Sequence, residues 1–124
     1  MGTMKALFDT NILIDYLNGV PQARDEFQLY QQRLISLITW IEVLVGCRNG
    51  DEASAVRRFL AGFELVAIDL EIGKQAVNLR RLYRIRLPDA LIWASAQQHN
   101  ALLISRNTKD FPMDSPGVRV PYQL

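Results

Sequence analysis

Three acidic residues stand where a carboxylate can do more than solvate a surface. Asp9 follows the apolar run Ala6-Leu7-Phe8 and leads through Thr10-Asn11 into Ile12, Leu13, Tyr16 and Leu17, which share one helical face, with Asp15 and Asn18 pointing elsewhere. Glu42 ends Thr39-Trp40-Ile41-Glu42, which reads as a capping box ahead of an apolar helical segment over 41–45. Asp89 follows Pro88, a good first-turn residue, and begins a helix that runs to about Asn100 with the small residues Ala90, Ala94 and Ala96. Singly, each acid has a plain explanation as a cap or as a charge at the positive end of a helix. Together they ask for another. In a parallel sheet, strand C-ends and the helix N-termini that follow share one edge, where open α/β folds hold ligands. Two like charges about 4 Å apart repel by roughly 4 kcal/mol at an effective dielectric of about 20, so a fold keeps such a cluster only with something positive in it. Oxygen donors without His or Cys point to Mg²⁺ or Mn²⁺ rather than zinc. A carboxylate cage around one or two such ions is the equipment for phosphodiester hydrolysis.

The elements needed to position these acids can be read off in order. Strands are expected at 6–8, 34–37, 65–68, 101–104 and, short, 118–120. Gly19 stops the first helix, Pro21 can open a surface helix over 22–32 with Phe27 and Tyr30 or Leu29 inward, and Asn49-Gly50 is a turn signal. Asp51 and Glu52 begin a helix whose inward face reads Val56, Phe59, Leu60, Phe63. A longer helix over 70–85 carries Ile72, Ala76, Leu79, Leu82 and Tyr83 as its apolar stripe. Strands alternating with helices predict an α/β fold, a mostly parallel central sheet of four to five strands covered on both faces.

The bulk numbers narrow the class. A chain of 124 residues is one domain, here 4–124, with Met1-Gly2-Thr3 read as an added leader outside the fold. A net charge of +1 gives no overall pull toward nucleic acid or membrane, although eleven Arg stand against three Lys, a bias that suits phosphate recognition or simple codon composition equally. No apolar run approaches membrane-spanning length and no signal peptide is evident. Cys47 is the only cysteine, which fits a reducing cytoplasm and a small core residue. His99 is the only histidine, so RNA cleavage by a pair of imidazoles is excluded for this chain.

Four segments in order carry a resemblance: Leu7-Phe8-Asp9-Thr10-Asn11, Thr39-Trp40-Ile41-Glu42, Leu87-Pro88-Asp89-Ala90-Leu91-Ile92-Trp93-Ala94, and Leu103-Ile104-Ser105-Arg106-Asn107-Thr108-Lys109-Asp110-Phe111. The chain resembles the PIN-domain ribonucleases, and among them the VapC toxins of bacterial toxin-antitoxin pairs, from Met4 to Val120. The resemblance implies a PIN-like three-layer α/β/α domain and a Mg²⁺-dependent endoribonuclease, with Mn²⁺ as a possible substitute. It implies cleavage that leaves a 5′-phosphate and a 3′-hydroxyl. Asp9, Glu42 and Asp89 match the metal-binding carboxylates, with Thr10, Asn11, Thr39 and Ser105 beside them. The fourth family acid is replaced by Asn107, and Asp110, one turn later, stands ready to supply charge nearby. The implied partners are RNA, a VapB-type antitoxin whose tail lies over the cleft, and a second copy of the chain.

Arg106 and Lys109 border the last motif and are candidates to contact RNA, as are Arg84 and Arg86 in the basic run before Asp89. For Arg80, Arg81, Arg84 and Arg86 a solvated helix face is an equal reading. Trp40 and Trp93 can stack bases but lie in apolar helical patterns that favour packing. Two rival classes remain. One is a PIN-fold RNA- or protein-binding module without turnover, hinted at by Asn107. The other is a phosphoacceptor or phosphatase fold, which wants acids that Asn11 and the helix-leading Asp69 do not supply.

Overall fold

A computed structural model describes residues 5–112 and 114–124; the leader expected at Met1-Gly2-Thr3, and Met4, lie outside the described residues. Five parallel strands form one sheet in the order β3-β2-β1-β4-β5: β1 (Lys5–Phe8), β2 (Gln32–Ser36), β3 (Glu64–Val66), β4 (Leu102–Ile104) and β5 (Val118–Arg119). Alternation along the strands sends side chains to two cores. Leu7, Leu34 and Leu103 join one cluster with Ile72, Leu79 and Trp93, whereas Ala6, Phe8, Ile35 and Ile104 join the other with Ile12, Phe27 and Leu60. Helices α1 (Thr10–Leu17), α2 (Pro21–Phe27) and α4 (Gly50–Leu60) supply the second layer, and α5 (Leu70–Tyr83) with α6 (Leu87–Gln98) the first. The remaining helix, α3 (Leu37–Val45), gives Ile38 to one core and Val43 to the other. Trp93 is fully buried, and Trp40 and Cys47 are partly buried against the second core, so all three pack.

The strand order reverses at β1, which β2 flanks on one side and β4 on the other. Such a switch point opens a crevice at the strand C-ends. Asp9 stands there, its backbone N–H still donating to the Ile104 carbonyl at 2.9 Å. Gly19, at φ 83°, turns the chain after α1 in a conformation that L side chains rarely adopt.

Several boundaries differ from the pattern. The helix expected over 22–32 ends at Phe27, which frees Gln32 and Arg33 to begin β2, and Leu29 is exposed while Phe27 and Tyr30 are buried. The capping box is displaced: Ser36 Oγ caps α3 by accepting from Ile38 N at 3.1 Å, so Thr39 is inside the helix and Glu42 is its sixth residue. Thr39 and Glu42 are three apart because they share one helical face, not because they close a helix end. On α1, Tyr16 and Leu17 are exposed and Asp15 is buried, the reverse of the apolar pattern. Leu82 and Tyr83 likewise lie outside the core that Ile72, Ala76 and Leu79 enter. Asn49 caps α4 through Glu52 N rather than only turning the chain. Among the described residues no helix is long and apolar enough to cross a membrane.

Candidate active site

A cleft of about 390 Å³ opens at the switch point, lined by Asp9, Asn11, Asp15, Glu42, Arg86, Asp89, Arg106 and Asn107 together with Thr10 and Ile14. Each acid arrives on a different element. Asp9 is the N-cap of α1 and Asp89 lies in the first turn of α6, so both face helix ends whose N–H groups favour negative charge. Glu42 comes from the middle of α3.

Asp9 is held by neutral donors. Its Oδ1 accepts from Thr10 N at 2.8 Å, and its Oδ2 accepts from Ser105 Oγ at 2.7 Å and Asn11 Nδ2 at 3.1 Å. Ser105 Oγ also accepts from Asn107 N at 2.9 Å, so the loop after β4 is built onto the same carboxylate. Burial raises the carboxyl's pKa above the usual range; the Ser105 and Thr10 hydrogen bonds oppose the rise and the Glu42 charge adds to it. Glu42 Oε1 accepts from Thr10 Oγ1 at 2.6 Å, and that hydroxyl lies 3.1 Å from Thr39 Oγ1.

Asp89 is held by charge. Arg86 Nε donates to Asp89 Oδ2 at 3.0 Å and stands 3.8 Å from Asp110 Oδ2. Burial, then the hydrogen bond with Asp110, push the Asp89 carboxyl up to about 6, against the pull of Arg86. Asp110 moves the other way, chiefly because Asn107 Nδ2 donates to its Oδ2 at 2.9 Å. The two carboxyls therefore titrate as a pair, with Asp89 the harder of the two to ionise. Arg86 is the positive group that the clustered acids require, and its side chain is 71% exposed, so it can leave Asp89 for water.

The three acids thus share one cleft, but each is turned to its own partner. Among the described residues no three acidic, His or Cys side chains stand at the separation that would grip one ion. Thr10, Asn11, Thr39 and Ser105 all lie in the network around Asp9 and Glu42, and Asn107 and Asp110 sit beside Asp89. Among the described residues that line the cleft, Arg86 and Arg106 are present and Arg84 and Lys109 are not. Arg84 ends α5 with a left-handed backbone, φ 55°.

Two residues escaped the sequence reading. Asp15 accepts from Arg106 Nε at 2.6 Å and Nη2 at 2.8 Å, and Tyr122 O–H donates to Asp15 Oδ2 at 2.8 Å. The sequence carries one faint signal, an acid interrupting an apolar helical face, and nothing that names a partner 91 or 107 residues away.

The sequence model of the PIN domain matches residues 6–112. The chain belongs to the PIN-domain family. Ribonuclease VapC10 of Mycobacterium tuberculosis is 33% identical over 115 residues, 86% of each chain, which places this PIN domain with the VapC type. A chain of a toxin-antitoxin complex from Klebsiella pneumoniae is 45% identical and superposes with a TM-score of 0.90 over 96% of this chain and 99% of its own. A chain of DNA-bound VapBC from Salmonella typhimurium, 22% identical, shares the fold with a TM-score of 0.79 over 94% of this chain and 96% of its own. The expected α/β architecture of this PIN domain agrees with the five-stranded parallel sheet.

Proposed function

We propose that this PIN domain is a divalent-metal-dependent endoribonuclease, the toxin of a VapBC-type toxin-antitoxin pair, working in the cytoplasm and pairing with a second copy of itself. The observation that carries the reading is a pair of buried acids, Asp9 and Asp89, both with raised pKa, sharing a solvent-open cleft with Glu42 at the sheet's switch point. The likeness to ribonuclease VapC10 and to the toxin-antitoxin chain of Klebsiella pneumoniae supports the substrate and the antitoxin partner.

The donor set fits a hard cation: carboxylate oxygens from three elements, no His or Cys among the cleft residues, and an arginine already needed for charge balance. Mg²⁺ or Mn²⁺ held there supplies Lewis-acid polarisation of a phosphodiester and an activated water. Asp9 and Asp89 are the residues to hold it, with Glu42 steadied by Thr10 on the facing wall. To hold the ion, Asp89 would part from Arg86, which has water to turn to, and would bind as the ionised carboxylate. Ser105, Asn11 and Thr10 keep Asp9 from rotating out of the cleft.

The test is cleavage of RNA by the purified chain. Cleavage is expected with Mg²⁺ or Mn²⁺, none in excess chelator, and a loss of at least about 100-fold in Asp9→Asn, more than an outer partner of a metal ligand is worth. Cleavage that survives chelation and Asp9→Asn overturns the reading. A module that binds RNA without turnover is favoured by Asn107, an amide committed to Asp110 where the family pattern has an acid. Metal-dependent binding of RNA with no cleavage at any metal concentration would establish it.

A further inference from the structure

Arg106 is held in a way that the metal chemistry does not call for. Asp15 accepts from Nε and Nη2 together, which fixes the guanidinium plane, and Tyr122 fixes Asp15 in turn. Asp15 is buried and Arg106 is 26% exposed at the wall of the cleft. Burial and the neighbouring Asp15 push the Tyr122 hydroxyl's pKa up, so it stays a donor through the working pH range. A guanidinium has five N–H donors, and the two bonds to Asp15 leave three. Among the described residues those three have no hydrogen-bond partner within the chain.

A cation fixed at two points with donors to spare, beside acids that handle a phosphodiester, suits one kind of group. We propose that Arg106 binds a backbone phosphate of the RNA next to the cleavage site, and that Asp15 and Tyr122 are positioning residues that hold its fork for that contact. The inference rests on the nuclease reading and extends it to residues of α1 and of the segment after β5. Tyr122 lies beyond residues 6–112, where the family match ends. A guanidinium already immobilised loses little rotamer freedom when it meets a planar pair of phosphate oxygens. The Asp15 charge offsets that of Arg106 at a distance, so the fork selects by geometry at contact range rather than by drawing in any anion.

Arg106 also has a structural duty, because its backbone N–H donates to Asn11 Oδ1 at 3.2 Å and it adjoins Ser105, the partner of Asp9. The experiment must separate the two roles. Affinity for a labelled single-stranded RNA is measured by fluorescence anisotropy with Ca²⁺ in place of Mg²⁺, and Mn²⁺ affinity by calorimetry, for wild type, Arg106→Lys and Tyr122→Phe. Arg106→Lys keeps the charge and loses the fork; RNA affinity is expected to fall about 10-fold. Tyr122→Phe removes one hydrogen bond and leaves every charge in place; a fall of about 3-fold is expected. Mn²⁺ affinity stays within about 2-fold in both. RNA and Mn²⁺ affinities falling together would overturn the proposal, since Arg106 would then only brace the loop under Asp9. Unchanged RNA affinity in Arg106→Lys overturns it as well. Wild type that binds no RNA overturns the nuclease reading itself, an outcome distinct from either.

Discussion

Two clusters in this protein are built to one plan and stand in different places. Asp15, Arg106 and Tyr122 form one; Glu26, Arg119 and Tyr30 form the other. In the second, Arg119 Nε and Nη2 donate to Glu26 at 2.6 and 3.1 Å, and Tyr30 O–H donates to Glu26 Oε2 at 2.9 Å. Each ties the chain after β4 to one of the first two helices, and each carboxylate is buried. Only the first lines the cleft. The Glu26 cluster fastens the edge strand β5 to α2 and contributes no residue to that cleft. It is therefore an internal control for the other. Whatever the two lose in common is stability, and whatever only the first loses is function.

The largest effect should follow from removing each carboxylate. Asp15→Ala and Glu26→Ala each leave a guanidinium without its buried partner, and each should lower unfolding free energy by about 1–3 kcal/mol, because both arginines retain some access to water. Urea melts measure this. Per folded molecule, RNA cleavage should drop about 10-fold or more in Asp15→Ala and hold in Glu26→Ala; equal losses would erase the distinction between the clusters. A smaller effect is expected from Arg119→Lys, which should lower the melting temperature by a few degrees and leave RNA affinity within about 2-fold of wild type. If its RNA affinity fell as far as that expected of Arg106→Lys, the contact assigned to Arg106 would belong to general loosening of the chain after β4.

The smallest effect is a matter of pH. Burial, the Glu26 hydrogen bond and the Glu26 charge push the Tyr30 hydroxyl from 10.0 up to about 12. A phenol whose pKa is raised in the folded state contributes stability fully below the unfolded value and loses it as pH rises from about 10 toward 12. Wild type should therefore lose melting temperature across that range more steeply than Tyr30→Phe, as read by thermal melts at pH 9 to 11.5. Parallel curves would show that Tyr30 titrates no differently in the two states.

Much of this was legible in the sequence, and the rest was hidden for physical reasons. All five strands and six helices occur in the order expected, because burial on both faces of a parallel sheet writes itself as short apolar runs. Asp9 and Asp89 meet at one edge because strand C-ends and helix N-termini share it, whereas Glu42 reaches the cleft from the middle of α3. The T-x-x-E spacing misled because a cap and a helical face share a three-residue step, and only Ser36 at the end of β2 decides between them. Local pattern treats any acid on an apolar helix as solvated and so points Asp15 away from its partner, which lies 91 residues on. Arg86 was legible as a charge near the site but not as the counter-charge of Asp89, which depends on the N-terminal geometry of α6.

The hydroxyl that steadies Asp9 belongs to a residue 96 positions further along the chain. During translation at about 5–20 residues per second, the first acid is made roughly 5–20 s before the serine that will hold it. β4 must then slide in beside β1 before a cleft exists at all. A copy synthesised only as far as Asp89 consequently carries all three acids without Ser105, and the hydrogen bond that fixes Asp9 in the cleft can form only in the last stretch of synthesis.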